Sequence, residues 1–352
     1  MKKFTAKQLM NKTMPFVWAK LIIRAAEYGV FLALLALFIW GLTRDNPSSV
    51  LIWGTFIVFI FGSVLTMYIT RIVAYGVRVG HIAVLTEIVK TGEVPANQVA
   101  YGKNKVMERI GAAATFFFIN KLVDRSVQQL QNRLANAASF LGRMPGMNKL
   151  VGFAKMILKI ALKYVDECCV AWIFYGPQEQ SAMKGALDGV TLYAQNWKVV
   201  LGVAVKTAIK VMVLTFLLGV AITVLFVFIL SNFGAGGFWV VYGIFAGFMI
   251  ALAFKQAFID SWVMTTMLVT FLNVAPTTEL KIDMYGKLSL MSASFKKMVT
   301  NVQGEISGDP FAPAPVAHAR TASPGGSTVF CGECGARNPA GTRFCSECGK
   351  GV

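Results

Sequence analysis

Four cysteines near the C-terminus have the spacing of a zinc site. They form two Cys-x-x-Cys pairs separated by ten residues, and they are Cys331, Cys334, Cys345 and Cys348. Two residues between a pair of thiolates let one tight turn present both sulfur atoms to the same ion at about 2.3 Å. Two such pairs complete a tetrahedral site without an open coordination position. The spacing therefore predicts one structural Zn²⁺ held by four cysteine thiolates.

Residues 330–352 around these cysteines resemble the short zinc-ribbon domains appended to many bacterial membrane proteins, which implies a small C-terminal β zinc ribbon. A segment this short has too little core to fold alone, so zinc must supply the folding free energy. The alternative, a pair of disulfides, needs an oxidising compartment. Only Arg337, Arg343 and Lys350 are basic here, too few for a nucleic-acid partner. We expect a protein partner, with zinc or redox sensing as a second option.

The composition of the whole chain is that of a membrane protein. Of its 352 residues, 56% are hydrophobic and 14% are charged, whereas soluble domains have about 25% charged residues. The composition excludes an ordinary soluble enzyme and a disordered polar chain. The 34 Lys and Arg outnumber the 17 Asp and Glu. In so apolar a chain, this excess of bases is typical of loops on the cytoplasmic side of a membrane.

Four apolar stretches are long enough to cross a bilayer, whose core of about 30 Å needs about 20 helical residues. They predict an all-α polytopic membrane protein with about four transmembrane helices, at 25–43, 50–70, 211–232 and 233–254. Glu27, the one acid in these stretches, can pair with Arg24. Residues 261–278 are also uncharged and could form a fifth span. Pro276 and several threonines instead favour an interfacial or bundle-packed helix.

The positions of the bases predict the orientation. Residues 1–24 carry six Lys and Arg and no acid, whereas the short connections within each pair of spans are poor in bases. By the positive-inside rule, both termini and residues 71–198 face the cytoplasm, across an inner or plasma membrane. The basic arm either lies on the anionic leaflet through apolar residues such as Phe16 and Val17, or extends the first helix into the cytosol.

These features divide the chain into seven consecutive parts. The composition of the sixth part, rich in Pro, Gly and Ser, predicts a disordered linker. The parts are a basic amphipathic cytoplasmic arm (1–24), a first transmembrane hairpin (25–70), a helical cytoplasmic region (71–198), a second transmembrane hairpin with an interfacial helix (199–275), a cytoplasmic segment (276–302), the linker (303–329) and the zinc ribbon (330–352).

An apolar seam occurs in the cytoplasmic region. Val123, Val127, Leu130 and Leu134 repeat in steps of four and three. The seam is shorter than the three to four heptads that indicate a coiled coil. Packing within the chain is therefore favoured, with a homo-oligomer as the alternative.

Several short segments between residues 155 and 274 follow one another in a recognisable order. They are Tyr164-Val165-Asp166-Glu167, Trp172-Ile173-Phe174-Tyr175-Gly176, Ser181-Ala182, Leu192-Tyr193-Ala194-Gln195-Asn196-Trp197 and, after two closely spaced spans, Phe258-Ile259-Asp260-Ser261. In this order they resemble the C-terminal half of the choline transporter-like family. The resemblance implies a related membrane fold and transport of a small organic cation such as choline. Members of that family have more spans, so such a carrier would be an oligomer.

Motifs of an enzyme are absent from the sequence. It has no P-loop, no Rossmann glycine fingerprint and no His-Glu-x-x-His motif. Of its two isolated histidines, His81 is predicted to be an interfacial side chain, and Cys168 and Cys169 are predicted to be small buried side chains. We expect a non-enzymatic, membrane-anchored interaction or regulatory protein that acts through the ribbon. A transporter-like carrier or pore for an organic cation is the alternative.

Overall fold

The computed structural model describes residues 4–110, 118–119, 121–130, 132–133, 164–232, 238–306, 328–330 and 337–339. The chain divides into two compact units, Met1–Phe311 and Ala312–Val352. The described part of the first unit is built of helices. They are α1 Ala6–Lys12, α2 Met14–Thr43, α3 Ser49–Thr91, α4 Gln98–Ile110, α5 121–130, α6 Val165–Tyr175, α7 Ala182–Gln195, α8 Trp197–Asn232, α9 Phe238–Phe254, α10 Asp260–Val274, α11 Ile282–Met291 and α12 Ala293–Asn301.

Three helical stretches among the described residues are long and apolar enough to cross a membrane. They are Met14–Thr43, Ser49–Thr91 and Val241–Thr277, and a shorter apolar stretch, Val213–Ile229, lies within α8. These stretches contain or overlap the four predicted spans. The apolar helices therefore support a membrane protein, with three described stretches of spanning length where the sequence predicted about four.

Helix α3 changes its surroundings along its length. Within residues 50–73 large apolar side chains are exposed, including Phe61 at 71% and Ile72 at 63%. Within residues 79–89 the same helix is buried, and Leu85 has no exposed surface. A continuous exposed apolar surface is unfavourable in water, so the first part is suited to lipid and the second forms the core of a bundle. At about 1.5 Å per residue, its 43 residues are long enough for both.

Close backbone contacts hold the bundle together. Helices α3 and α4 cross at Gly80 and Gly102, where a Cβ on Gly102 would lie 2.7 Å from the Gly80 carbonyl oxygen. Helices α6 and α7 approach similarly, since a Cβ on Gly189 would lie 2.8 Å from the Cα of Cys169. Any larger side chain at Gly102 or Gly189 would push backbone against backbone. The fold therefore needs glycine at both positions.

The bundle core confirms two of the predictions. Cys168 and Cys169 are fully buried and free of disulfides. The described part of the apolar seam, Val123, Val127 and Leu130, is also buried in this core. The seam therefore packs within the chain over these residues, and Leu134 lies outside the described residues.

Helix α10 belongs to the same core. It continues α9 through a π-helical turn, Lys255–Ile259, and ends in a 3₁₀ turn, Ala275–Thr277, that contains Pro276. Its residues Met267, Leu268 and Phe271 have no exposed surface. The predicted helix at 261–278 is therefore packed in the bundle over this stretch.

The N-terminal arm also packs against the bundle. Leu9, Phe16 and Val17 are at most 2% exposed, and α2 runs without interruption from Met14 into the first apolar stretch. Phe16 and Val17 are thus unavailable to a lipid leaflet, whereas Ile22 of the same arm is 67% exposed, so the leaflet-bound arm stays a prediction without these two contacts. The continuity of α2 supports the other interpretation, in which the arm extends the first helix.

The end of the first unit lies further along the chain than predicted. Gln303–Glu305 forms a 3₁₀ turn, and the Ser181 backbone N–H donates a hydrogen bond of 3.0 Å to Glu305 Oε2. The predicted linker at 303–329 therefore starts with ordered residues, and its residues 307–327 lie outside the described structure. In the second unit, strands β1 Thr328–Phe330 and β2 Arg337–Pro339 pair antiparallel.

Replacing Gly102 by alanine tests the crossing of α3 and α4. We expect Gly102→Ala to lower the free energy of unfolding by about 1–3 kcal/mol, as overpacking does, because the new methyl group meets backbone atoms. Gly76→Ala is the matched control, since no atom lies within 4 Å of its added Cβ. Alanine there should be neutral or stabilising by up to about 1 kcal/mol. Thermal unfolding of the full chain in detergent, followed by circular dichroism, measures both, and equal midpoints would contradict the close crossing.

Candidate functional site

Two of the predicted zinc ligands lie, in chain order, between the two described strands of the second unit. Cys331 and Cys334 fall in the connection between β1 and β2, whose register places Phe330 opposite Arg337. An antiparallel pair can be joined by a short connection, which is where a Cys-x-x-Cys turn belongs. All four predicted ligands, including Cys345 and Cys348, lie outside the described residues. The donor set, four thiolates in two such pairs, fits the soft coordination that Zn²⁺ takes in structural sites.

A second candidate site, the border pocket, lies in the helical unit. It is a cavity of about 230 Å³ lined by residues of α2, α3, α6, α10, the π-helical turn and the residue before α6. Arg24 of this pocket directly precedes the apolar stretch 25–43, and Lys255 directly follows Phe238–Phe254. The pocket therefore lies where the apolar stretches end. Its charged side chains are Lys20, Arg24, Arg78, Lys255, Glu167 and Asp260.

A chain of hydrogen bonds starts at Lys20 inside the border pocket. The Lys20 ammonium lies 2.9 Å from His81 Nδ1 and donates to Ser261 Oγ at 3.0 Å. His81 Nε2 lies 2.8 Å from Thr13 Oγ1, which donates to the carbonyl of Leu9 at 2.9 Å. An ammonium is only a donor, so Nδ1 accepts and the proton of a neutral ring is assigned to Nε2. The network ties α2 to α3 and α10.

His81 is therefore placed differently from the sequence prediction. It is fully buried, and the ring of Phe16 stacks on it with centroids 5.0 Å apart. The interpretation as an interfacial side chain is wrong, because Lys20 and Thr13 satisfy both ring nitrogens and allow the imidazole to be buried.

The other bases of the border pocket have carboxylate partners. Arg24 forms an ion pair with Glu27, which confirms the predicted pair, and Lys255 pairs with Asp260 at 2.9 Å. Arg78 lies 3.5 Å from Glu167. Among the described residues, Lys20 forms no ion pair. Three of the four bases that line the pocket are therefore neutralised by Glu27, Asp260 and Glu167, and Lys20 contributes the remaining positive charge.

Buried acids lie beside the pocket. Burial raises the pKa of Asp124 on α5 to about 6, with the Asp166 carboxylate adding to the shift and Arg78 opposing it. Burial, with the neighbouring Glu167 charge, raises the pKa of Asp166 well above its usual range. Burial likewise raises the pKa values of the Cys168 and Cys169 thiols. These thiols stay protonated at neutral pH, so they are unreactive.

The comparisons with known proteins assign the C-terminal segment. Residues 330–352 match the family model of a zinc-ribbon domain. This confirms the predicted domain and implies zinc binding in general, whereas the number of ions and the ligation by four cysteines stay predictions. No curated protein and no solved structure matches the chain. Nothing in the comparisons supports the resemblance of residues 155–274 to the choline transporter-like family.

Almost nothing in the sequence predicted the border pocket. Lys20, His81 and Ser261 come from distant parts of the chain, and no spacing rule connects them. The available signal was a base directly at the end of an apolar stretch, as at Arg24 and Lys255. Such a base is more often explained by snorkelling to the membrane surface, so the signal indicates a border without indicating a cavity.

Zinc content tests the ligand assignment. We expect the purified full chain to hold about one zinc ion, as a four-thiolate site does, and Cys331→Ser/Cys334→Ser to lose it. Cys168→Ala/Cys169→Ala is the matched control, because it also removes two cysteines but leaves the predicted ligands intact. Inductively coupled plasma mass spectrometry measures zinc per chain. The same zinc content in both variants would contradict the assignment.

Stability as a function of pH tests the environment of Asp124. Its pKa of about 6 lies above the ordinary 3.8, so the folded state holds a proton that the unfolded state releases. This contribution to stability is complete below pH of about 4 and is lost as the pH rises through about 6. Asp124→Asn cannot ionise, so its unfolding temperature should rise relative to wild type between these pH values.

Asp283→Asn serves as the control for that titration. Asp283 is partly exposed and Lys287 lowers its pKa, so this substitution should not gain stability as the pH rises. Differential scanning fluorimetry of the full chain in detergent measures all three proteins. A difference between Asp124→Asn and wild type that does not change with pH would show that Asp124 titrates normally.

Proposed function

We propose that this protein is a non-enzymatic, membrane-anchored interaction or regulatory protein whose zinc ribbon binds a protein partner in the cytoplasm. Helix α3 carries the proposal. Its exposed apolar part and its buried part belong to one uninterrupted helix. A bundle whose core helix is also a membrane span is fixed at the membrane, as an anchor requires.

The ribbon supports the binding role. A zinc site with four cysteine ligands has no open position for a substrate, so the domain offers a folded surface rather than a reaction centre. Residues 307–327, between the bundle and the ribbon, are rich in Pro, Ala and Ser, a composition suited to a spacer. We infer a cytoplasmic location from the basic N-terminal arm, and the reducing cytosol would keep the cysteines free to hold zinc.

The border pocket weighs against the alternative, a carrier for an organic cation. Segments 164–167 and 258–261, which carried the resemblance to the choline transporter-like family, both contribute to this pocket. Three of its four bases are paired with carboxylates, and Lys20 is left with no ion pair among the described residues, which favours an anion over a cation such as choline. The anchor therefore has more support than the cation carrier.

Cross-linking in intact membranes tests the proposal. Lys350, the only lysine after Lys297, can react with an amine-specific cross-linker from the ribbon. We expect wild type and Cys168→Ala/Cys169→Ala to give the same cross-linked partner through Lys350. In Cys331→Ser/Cys334→Ser the yield should fall at least about tenfold, because the ribbon cannot fold without its zinc.

Two outcomes would contradict this function. One is an equal yield of the same cross-links in the zinc-ligand variant, which would remove any role of the folded ribbon. The other is saturable uptake of labelled choline into proteoliposomes that contain the full chain, which would favour the carrier. Uptake should remain at the level of empty liposomes.

A further inference from the structure

We propose that the border pocket binds the phosphate group of an anionic phospholipid headgroup from the adjacent leaflet. This inference goes beyond the proposed function, since a membrane anchor could act without a lipid site. Basic pockets between transmembrane helices are the chemistry that recognises such headgroups. Position and charge support this assignment.

The position is that of lipid headgroups. Arg24 directly precedes residues 25–43 within Met14–Thr43, and Lys255 directly follows residues 233–254 within Val241–Thr277, so the pocket lies where charged residues interrupt the apolar helices. Trp18, on the same helix as Arg24, is 51% exposed and contacts Phe258 edge-on, with centroids 5.5 Å apart. Exposed tryptophan is typical of the membrane interface, so Trp18 independently marks the headgroup level beside the pocket.

The charge is that of an anion site. Arg24 and Lys255 are already paired with carboxylates, but Lys20 has only the neutral partners His81 and Ser261 among the described residues. These use two of the three ammonium donors. Glu167 and Asp260 also line the pocket, but each is paired with another base. A phosphate oxygen would supply Lys20 with a counter-ion in direct contact and with the third acceptor. Arg78, 44% exposed at its side chain, can contribute from the open side.

The net charge of the headgroup also matters. Lys20 is the lining base without an ion pair among the described residues. A headgroup with a net negative charge neutralises it, whereas a zwitterionic headgroup brings a second positive charge to a basic pocket. The pocket therefore favours phosphatidylglycerol over phosphatidylcholine.

Lipid retention by the full chain tests the site. The chain in detergent micelles is mixed with equal amounts of dioleoyl phosphatidylglycerol and dioleoyl phosphatidylcholine, and bound lipids are counted by native mass spectrometry. Wild type should prefer phosphatidylglycerol by about tenfold, the scale of one charge-assisted hydrogen bond. Lys20→Gln and Arg78→Gln should each reduce this preference severalfold.

Arg71→Gln is the matched control. Arg71 lies on α3 like Arg78 and loses the same charge, but it is exposed and does not line the pocket. It should retain the preference of wild type. The unfolding temperature without added lipid shows whether each variant is folded. If Lys20→Gln does not fold, the more exposed Arg78 still decides the question.

A second arm separates the sources of phosphate. Inorganic phosphate or glycerol 3-phosphate is added in excess to the lipid-free chain, and the unfolding temperature is measured. If Lys20→Gln and Arg78→Gln lose the preference for phosphatidylglycerol, this result supports a headgroup site. Pocket-dependent stabilisation by the soluble anions alone supports a phosphate site but overturns its lipid source. Equal behaviour of wild type and both pocket variants towards every probe would overturn the proposal.

Discussion

The exposed apolar surface of the long helices is the constraint on which the rest of the structure depends. Within residues 50–73 of α3, side chains as large as Phe61 are uncovered, and the chain has too few charged residues to make such a surface soluble. In lipid, exposing this apolar surface carries no free-energy penalty. The same helix then enters a bundle whose buried side chains need no lipid. Membrane and bundle therefore meet along continuous helices rather than through a linker.

This continuity concentrates polar groups at one level. The first charged residues next to the apolar stretches lie at this level. Their side chains must be paired, hydrogen-bonded or open to water. The polar atoms of Lys20, His81 and Thr13 are satisfied by hydrogen bonds to one another. The charges of Arg24 and Lys255 are instead neutralised by ion pairs. The positive charge that remains is the basis for the proposed lipid site. Residues 330–352, in the other unit, match a zinc-ribbon domain, a kind of domain whose folding free energy comes from metal binding.

The features predicted correctly from sequence were those with a strong local signal. Uncharged stretches of spanning length predicted membrane helices, the spacing of Arg24 and Glu27 predicted their pair, and the repeated Cys-x-x-Cys predicted the zinc ribbon. The packing of the N-terminal arm could not be predicted from sequence, because the apolar side chains of Phe16 and Val17 suit either a lipid leaflet or a protein core. The burial of His81 depends on partners brought by helices far apart in sequence. The close crossing of Gly80 and Gly102 also arises only when two helices meet.

Photo-crosslinking from single positions shows whether helix α3 passes from lipid into a water-facing bundle. A diazirine amino acid is introduced genetically at Phe61, which is exposed in the apolar part of α3, or at Lys103, which is exposed on α4 of the bundle. After illumination in native membranes, mass spectrometry identifies the adducts. We expect lipid adducts at Phe61 and water adducts at Lys103. Water adducts at Phe61, or lipid adducts at both positions, would contradict it.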